Sequence, residues 1–415
     1  MEAWRRTVIA AAALLTVCVL PRSAWAIPLE DRIPHLFGGT LATSITPRDL
    51  TDAQRPLVAD RFRGLSAALA VARSQVPVPS ASGAFGFELV PEFDAYVRVP
   101  QSLGPLFAER AQTLGRNRWT VSVSYTHIDF DTLDGTPLND LHSSQPALSA
   151  AFLDRLPPTD RIDREHASDN TLDVNLNFRL QLDLLFLTAA WGVTDTIDVS
   201  TTLSINSAHM HAAASAVIQD PNRDGGAFFS GLQPGLVVGA SGPCSVGFTC
   251  ARDGFNDSAT GTGDLWLRGK WHLYDAAVAD LALAGVLTLP TGNADELLGF
   301  HDPTFTPWLI ASKTFGRVAP HLNVGYAFRS SEDVSQAQWI AGADVQALTW
   351  LTVAGDFLGY HGTGDGNHDN VVQAALSFKV NPIAELVLGG AVQFPVNRDG
   401  LRADVIYTVQ IEQTF

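Results

Sequence analysis

The chain has 415 residues, 46% of them hydrophobic and only 17% charged, with a formal net charge of −16 at pH 7. That acidity argues against a nucleic-acid partner, which calls for clustered Lys and Arg. The low charged fraction, against about 25% in a typical soluble domain, argues against an ordinary water-exposed globule.

Residues 1–26 hold Arg5 and Arg6, an apolar run from Val8 to Leu20, and the small-residue pattern Ala24-Trp25-Ala26. This is the layout of a cleaved export signal, so the mature chain is expected to begin at Ile27. Cys18 lies inside the apolar run, with Val17 where a lipidation signal carries a very small residue, so lipidation is not expected.

The stretch 27–117 is less regular. Residues 55–74 predict an amphipathic helix, with Pro56 in its first turn and Leu57, Val58, Phe62, Leu65, Leu69 and Val71 on one side. Residues 84–90 and 93–99 read as a hairpin, and 105–114 as a second short helix closed by Gly115. This region is expected to be a plug or periplasmic segment, unless its hairpin joins the wall described next.

From residue 118 onward the pattern changes to period two, most clearly in 171–183. Leu172, Val174, Leu176, Phe178, Leu180 and Leu182 are apolar, while Asp173, Asn175, Asn177, Arg179, Gln181 and Asp183 between them are polar. Such a strand has two different surroundings on its faces, and its length exceeds the ~9 to 11 residues that a tilted strand needs to cross a bilayer. No run in the mature chain reaches the ~18 apolar residues of a membrane helix. The expected fold is therefore all-β, a transmembrane antiparallel up-and-down barrel.

Twelve strands are expected, at 118–129, 171–190, 197–208, 263–274, 280–289, 304–315, 317–329, 338–347, 351–360, 370–380, 386–394 and 401–415. The N-terminal hairpin would raise the count to ~14, also even, as bacterial barrels require. Short connections alternate with long ones, which places the short turns in the periplasm and the long loops outside. Trp119, Trp191, Tyr274, Phe315, Trp350 and Phe415 then fall at periplasmic strand ends, where an interfacial girdle belongs. A final Phe resembles the signal read by the barrel-assembly machinery of Gram-negative cells.

Three short motifs carry possible chemistry. His142 and Ser144 have the His-x-Ser spacing of outer-membrane phospholipases, but they lie in a long polar loop with no Asn or Asp partner fixed beside them, and no Gly-x-Ser-x-Gly elbow accompanies them. A hydrolase is thus the least favoured reading. Asp220, Asn222, Asp224 and Gly225 match the first half of a calcium loop, but Gly231 stands where a bidentate Glu is required, so an Asx-rich turn is the plainer account. Cys244 and Cys250 are expected to form a disulfide in the oxidising periplasm.

Gly261-Thr262-Gly263-Asp264-Leu265-Trp266-Leu267-Arg268-Gly269-Lys270-Trp271, followed by Leu287-Thr288-Leu289-Pro290-Thr291-Gly292, resembles the outer-membrane transporter family named after the meta-pathway of phenol degradation. The resemblance covers roughly 264–415. It implies an outer-membrane barrel that takes up small, aromatic or hydrophobic compounds.

In the strand at 263–274, the apolar face of Leu265, Leu267, Trp271 and Leu273 turns Arg268, Lys270 and His272 into the lumen. Asp344, Asp356, Lys379, Arg402 and Asp404 fall on inward faces of later strands. Two readings stand beside each other: a charged constriction that selects permeants, or ion pairs that hold the barrel closed. The expected function is passive uptake of a small solute, without an organic cofactor or metal and without catalysis. The partners would be outer-membrane lipid, the assembly machinery and the permeant. The alternative is a closed barrel that binds a partner through its loops at 130–170 and 210–262.

Overall fold

Twelve antiparallel strands make the wall: β1 (Trp119–Phe130), β2 (Thr171–Gly192), β3 (Ile197–Gln219), β4 (Cys250–Asp275), β5 (Asp280–Leu289) and β6 (Thr304–Ser312). They continue as β7 (Val318–Arg329), β8 (Gln336–Leu348), β9 (Leu351–Gly362), β10 (Asn370–Ile383), β11 (Leu386–Pro395) and β12 (Ile406–Thr414). This computed structural model describes residues 75–85, 87–90, 95–98, 102–146, 171–219, 250–329, 335–363 and 370–415, together with Leu29. Each strand pairs with its chain neighbour, and β1 pairs with both β2 and β12, which closes the ring. A further short strand, Leu141–Pro146, lies beside the outer end of β2. Phe87–Val90 and Ala95–Arg98 do form a hairpin, but as a separate sheet, so the wall has twelve strands rather than fourteen.

The distribution of side chains is inverted relative to a soluble protein. Val121, Val123, Leu267, Trp271, Leu322, Val324, Val409 and Ile411 point outward and are exposed, while Thr120, Ser122, Ser124, Thr408, Gln410 and Glu412 are buried inside. Lipid, not water, is the solvent that such an exterior suits. Trp119, Tyr274, Phe315, Trp350 and Phe415 are exposed at one rim, and Trp191 stacks on Trp119 with ring centroids 5.4 Å apart. The short turns lie on this same rim, as the girdle predicts.

β2, β3 and β4 are far longer than a bilayer requires, at 22, 23 and 26 residues. Here the structure corrects the sequence reading. The alternating stretch 171–183 does not cross the membrane: Val174, Leu176, Phe178, Leu180 and Leu182 are buried, while Asn175, Asn177 and Arg179 on the outer face are exposed. Only beyond it do outward Leu185, Leu187, Ala189 and Trp191 supply a lipid face. Period two tells that two faces differ but not which one meets water. The outer half of β2 is therefore part of a sheet standing above the bilayer. Its inner face joins Ile128, Phe130, Leu138, Met210, Ala212, Leu298, Leu401 and Ile406 in an apolar cluster over the mouth of the barrel.

Two further expectations change. Residues 105–114 form no helix but an irregular, bent segment, with Gly104 and Gly115 at φ +80 and +90. The last strand begins at Ile406, since Leu401–Arg402 instead pairs with Thr132–Leu133 in a small outer sheet. The helix expected at 55–74 lies outside the described residues.

Phe178 is 2% exposed and faces Ala212 across the β2–β3 ladder. Phe178→Ala should remove about 3–5 kcal/mol from the local stability of the protruding sheet. Hydrogen exchange in 171–183 is expected to accelerate while the closed, heat-modifiable barrel persists in gel electrophoresis.

Candidate functional site in the barrel lumen

An extended peptide inside a barrel cannot join the wall ladder, so its backbone groups must find side chains. The segment 102–114 does this residue by residue. Leu103 N–H donates to Thr352 Oγ1 at 2.8 Å, Ala111 N–H to Ser312 Oγ at 2.9 Å, and Leu114 N–H to Asp198 Oδ2 at 3.0 Å. Asn323 clasps Glu109 twice, accepting from its N–H at 2.6 Å and donating Nδ2 to its carbonyl at 2.9 Å. Upstream, Ala84 N–H reaches Glu412 Oε1 at 2.5 Å. These partners come from β3, β6, β9 and β12 near their periplasmic ends and from the middle of β7, so the segment fills the periplasmic half of the lumen. It leaves through a close approach of Gly115 to Gly192, where a Cβ on Gly192 would stand 1.9 Å from the Gly115 carbonyl oxygen.

Side chains of the same segment bring charge to the wall. Glu109 pairs with Arg268 Nη1 at 2.5 Å and lies 3.9 Å from Lys270 Nζ, which also reaches Asp198 at 3.4 Å. Burial would raise the Glu109 carboxyl, but Arg268 and Lys270, with hydrogen bonds from Ser82 and Ala81, outweigh it and hold the pKa at about 2. Arg110 pairs with Asp344 at 3.1 Å, and both contact Ser102. Asp344 continues to His321 at 3.6 Å and His321 to Asp356 at 2.6 Å.

The sequence-derived lumen residues can now be placed. Lys270, Asp344, Asp356 and Lys379 are buried, and each has an ionic partner, Glu412 serving Lys379 at 3.6 Å. His272 contacts Asp275 at 3.1 Å and the Ala111 carbonyl at 3.0 Å. Lys270, His272 and Asp344 contact the segment directly, while Asp356 and Lys379 pair within the wall. Arg402 and Asp404 precede β12 and belong to the outer rim: Arg402 Nη2 donates to the Val372 carbonyl at 2.7 Å, and Asp404 is exposed. Glu109, Arg110, Asp198 and His321 were not singled out from the sequence. His321 could have been found by extending the inward parity of β7; Glu109-Arg110 carried only the weak sign of an acid–base pair amid apolar neighbours.

Above the segment lies a cavity of about 190 Å³. Its walls carry Phe107, Phe186, Trp266, Phe300, Trp308 and Tyr360, with Phe186 and Trp266 meeting edge to face at 5.7 Å. Among the described residues, its charged lining groups are Glu109, Arg268 and Arg329. Four buried polar atoms of the lining lack a hydrogen-bond partner: Arg268 Nε, Arg329 Nε, Thr304 Oγ1 and Asn206 Oδ1.

The resemblance motif shapes this cavity. Asp264, fully buried, accepts from Gly292 N–H at 3.1 Å and Phe300 N–H at 2.8 Å, while Thr291 Oγ1 donates to the Gly263 carbonyl at 3.0 Å. Gly263, Gly292 and Gly299 pack backbone against backbone, since a Cβ on Gly292 would meet Cα of the other two at 2.9 and 2.7 Å. The loop between β5 and β6 is thereby folded inward, and Phe300 is carried beneath Arg329, whose Cζ stands 4.7 Å from the ring centroid.

The other motifs lie elsewhere. His142 Nδ1 stands 2.8 Å from Asn175 Oδ1 on the outer surface above the bilayer, so an Asn is in place beside it after all. Among the described residues, however, no hydrogen bond joins Ser144 to His142, and the nucleophile lacks its base. Cys250 opens β4, while Cys244 and the 220–225 turn lie outside the described residues, and with them the expected disulfide.

No family model and no characterised protein matches the sequence. Among solved structures, the COG4313 outer membrane channel from Pseudomonas putida F1 is similar at 15% identity, with 75% of this chain and 100% of that one covered and a TM-score of 0.43. The CymD monoaromatic hydrocarbon channel aligns at 8% identity over 72% and 89% of the two chains, TM-score 0.34. The Ralstonia pickettii toluene transporter TbuX aligns at 9% over 72% and 90%, TM-score 0.32. At these levels of likeness, what the lumen does has to be argued from this chain's own residues.

Glu109 has a depressed folded pKa of about 2, so its contribution to docking is complete above the unfolded value near ~4.3 and lost as pH falls toward 2. Hydrogen exchange of 102–114 should stay slow down to about pH 4 and accelerate below it. Glu109→Gln should raise that exchange at least ~10-fold at neutral pH, because Arg268 and Lys270 lose their shared buried counter-charge.

Proposed function

We propose that the protein is an outer-membrane channel for small aromatic or hydrophobic solutes, exported with residues 1–26 as its cleaved signal. The observation that carries this reading is the lumen cavity, which is walled by aromatic side chains inside a barrel with a lipid-facing exterior. A sealed structural barrel would gain by filling that space with side chains, since packed interiors leave few voids larger than a water molecule. A cavity of roughly 150 Å³ lined by apolar groups holds a benzene ring, so a single-ring solute matches the volume available here. The segment 102–114 stands between the cavity and the periplasm and acts as the plug that keeps water-soluble traffic out.

On this reading Arg268 and Lys270 serve the plug before they serve selectivity. Replacing both with Gln should therefore loosen the segment and raise single-channel conductance in a planar bilayer several-fold, as should deletion of 75–114. Liposomes carrying the intact protein should take up a single-ring solute faster than a hydrophilic sugar of similar mass. A verified closed barrel that takes up neither, and stays silent after the deletion, would rule out the channel.

A further inference from the structure

Building on that channel reading, we propose that the cavity is a binding site for a single-ring carboxylate, with Arg329 holding the acidic head and the aromatic walls holding the ring. The cations and the anion of the lining do not balance. Glu109 is committed to Arg268 at 2.5 Å, which leaves Arg329 as the lining cation that has no ion-pair partner among the described residues. Among the described residues, no hydrogen bond or ion pair reaches the Arg329 guanidinium, which stands over the Phe300 ring. Asp264 attracts Arg329 but lies fully buried beneath the loop, with its two oxygens accepting from Gly292 and Phe300.

The groups around Arg329 suit an anion. Thr304 is its ladder partner, buried to 4% exposure with Oγ1 unpaired, and Thr288 and Trp266 continue the same rung around the wall. Arg268 lines the next rung inward with Nε unpaired. Of the four unpaired atoms in the lining, three can donate a hydrogen bond, and two of those belong to guanidinium groups. Donors left idle in a buried place are costly unless a ligand uses them, and a carboxylate uses a guanidinium with two parallel bonds. Arg329 is the last residue of β7, at its extracellular end, on the lining of the ring-sized space. A carboxylate held by Arg329 would lay its ring against Phe186, Trp266 and Trp308 below.

The test is calorimetric titration of the refolded full chain with benzoate, benzyl alcohol and benzylamine, which share a ring and differ in head group. Benzoate should bind at least ~10-fold tighter than the other two, and the preference should weaken as salt rises. Arg329→Gln should erase the preference, while Arg329→Lys should keep most of it; gel heat-modifiability confirms that each variant is a closed barrel. Ile310→Phe, which fills the cavity from β6, should abolish binding of all three. Equal affinity for benzoate and benzyl alcohol would overturn the carboxylate assignment and leave the channel for aromatic solutes standing. An undiminished preference in Arg329→Gln would overturn the role of Arg329. Absence of any binding, together with absence of uptake into liposomes, would remove both readings.

Discussion

Every peptide group in this molecule that lies at membrane depth needs a partner other than water, and the rest of the structure follows from that need. The wall meets it by closing on itself, β1 pairing with β2 on one side and β12 on the other. The segment inside the wall cannot do so, and its backbone is served by side chains instead: Asn323 for both groups of Glu109, Ser312 for Ala111, Asp198 for Leu114. This explains why the periplasmic half of the lumen is rich in short polar residues and carboxylates rather than apolar filler.

Charge follows the same logic. Groups withdrawn from water must be paired, and two chains of ion pairs cross the plugged half, one through Arg268, Glu109, Lys270 and Asp198, the other through Arg110, Asp344, His321 and Asp356. The outer half of the interior is apolar, built by the inner faces of β2 and β3 as they rise above the bilayer. The cavity lies where these two regimes meet. Its mixture of rings and guanidinium groups is the product of the polar segment 102–114 below and an apolar cover above.

The inturned loop between β5 and β6 gives the resemblance motif a physical content. Gly263 and Gly292 permit backbone contact that no side chain would allow, Asp264 gathers two loop N–H groups, and Thr291 caps the Gly263 carbonyl. The motif thus shapes the roof of the cavity and sets the place of Phe300. Its chemical role is that of a scaffold for the cavity lining.

The wall was legible in the sequence because it is written locally. A period of two, turn residues at the strand ends and aromatic residues at one rim are properties of neighbouring positions, and they located twelve strands and the side on which the short turns lie. Inward placement of Arg268, Lys270, Asp344, Asp356 and Lys379 followed from the same parity. Long-range contact decided the rest. The apolar face of 171–183 turned out to look inward because β2 outruns the bilayer, a fact set by its partners β3 and β4. Residues 105–114 carry helical spacing yet form no helix, because wall side chains far along the chain, such as Asn323 at 214 positions from Glu109, satisfy their backbone groups instead. The pairing of Glu109 with Arg268 and the solitude of Arg329 are likewise invisible in the sequence. Parity fixes the face on which a side chain stands, but only the closed barrel determines what it meets there.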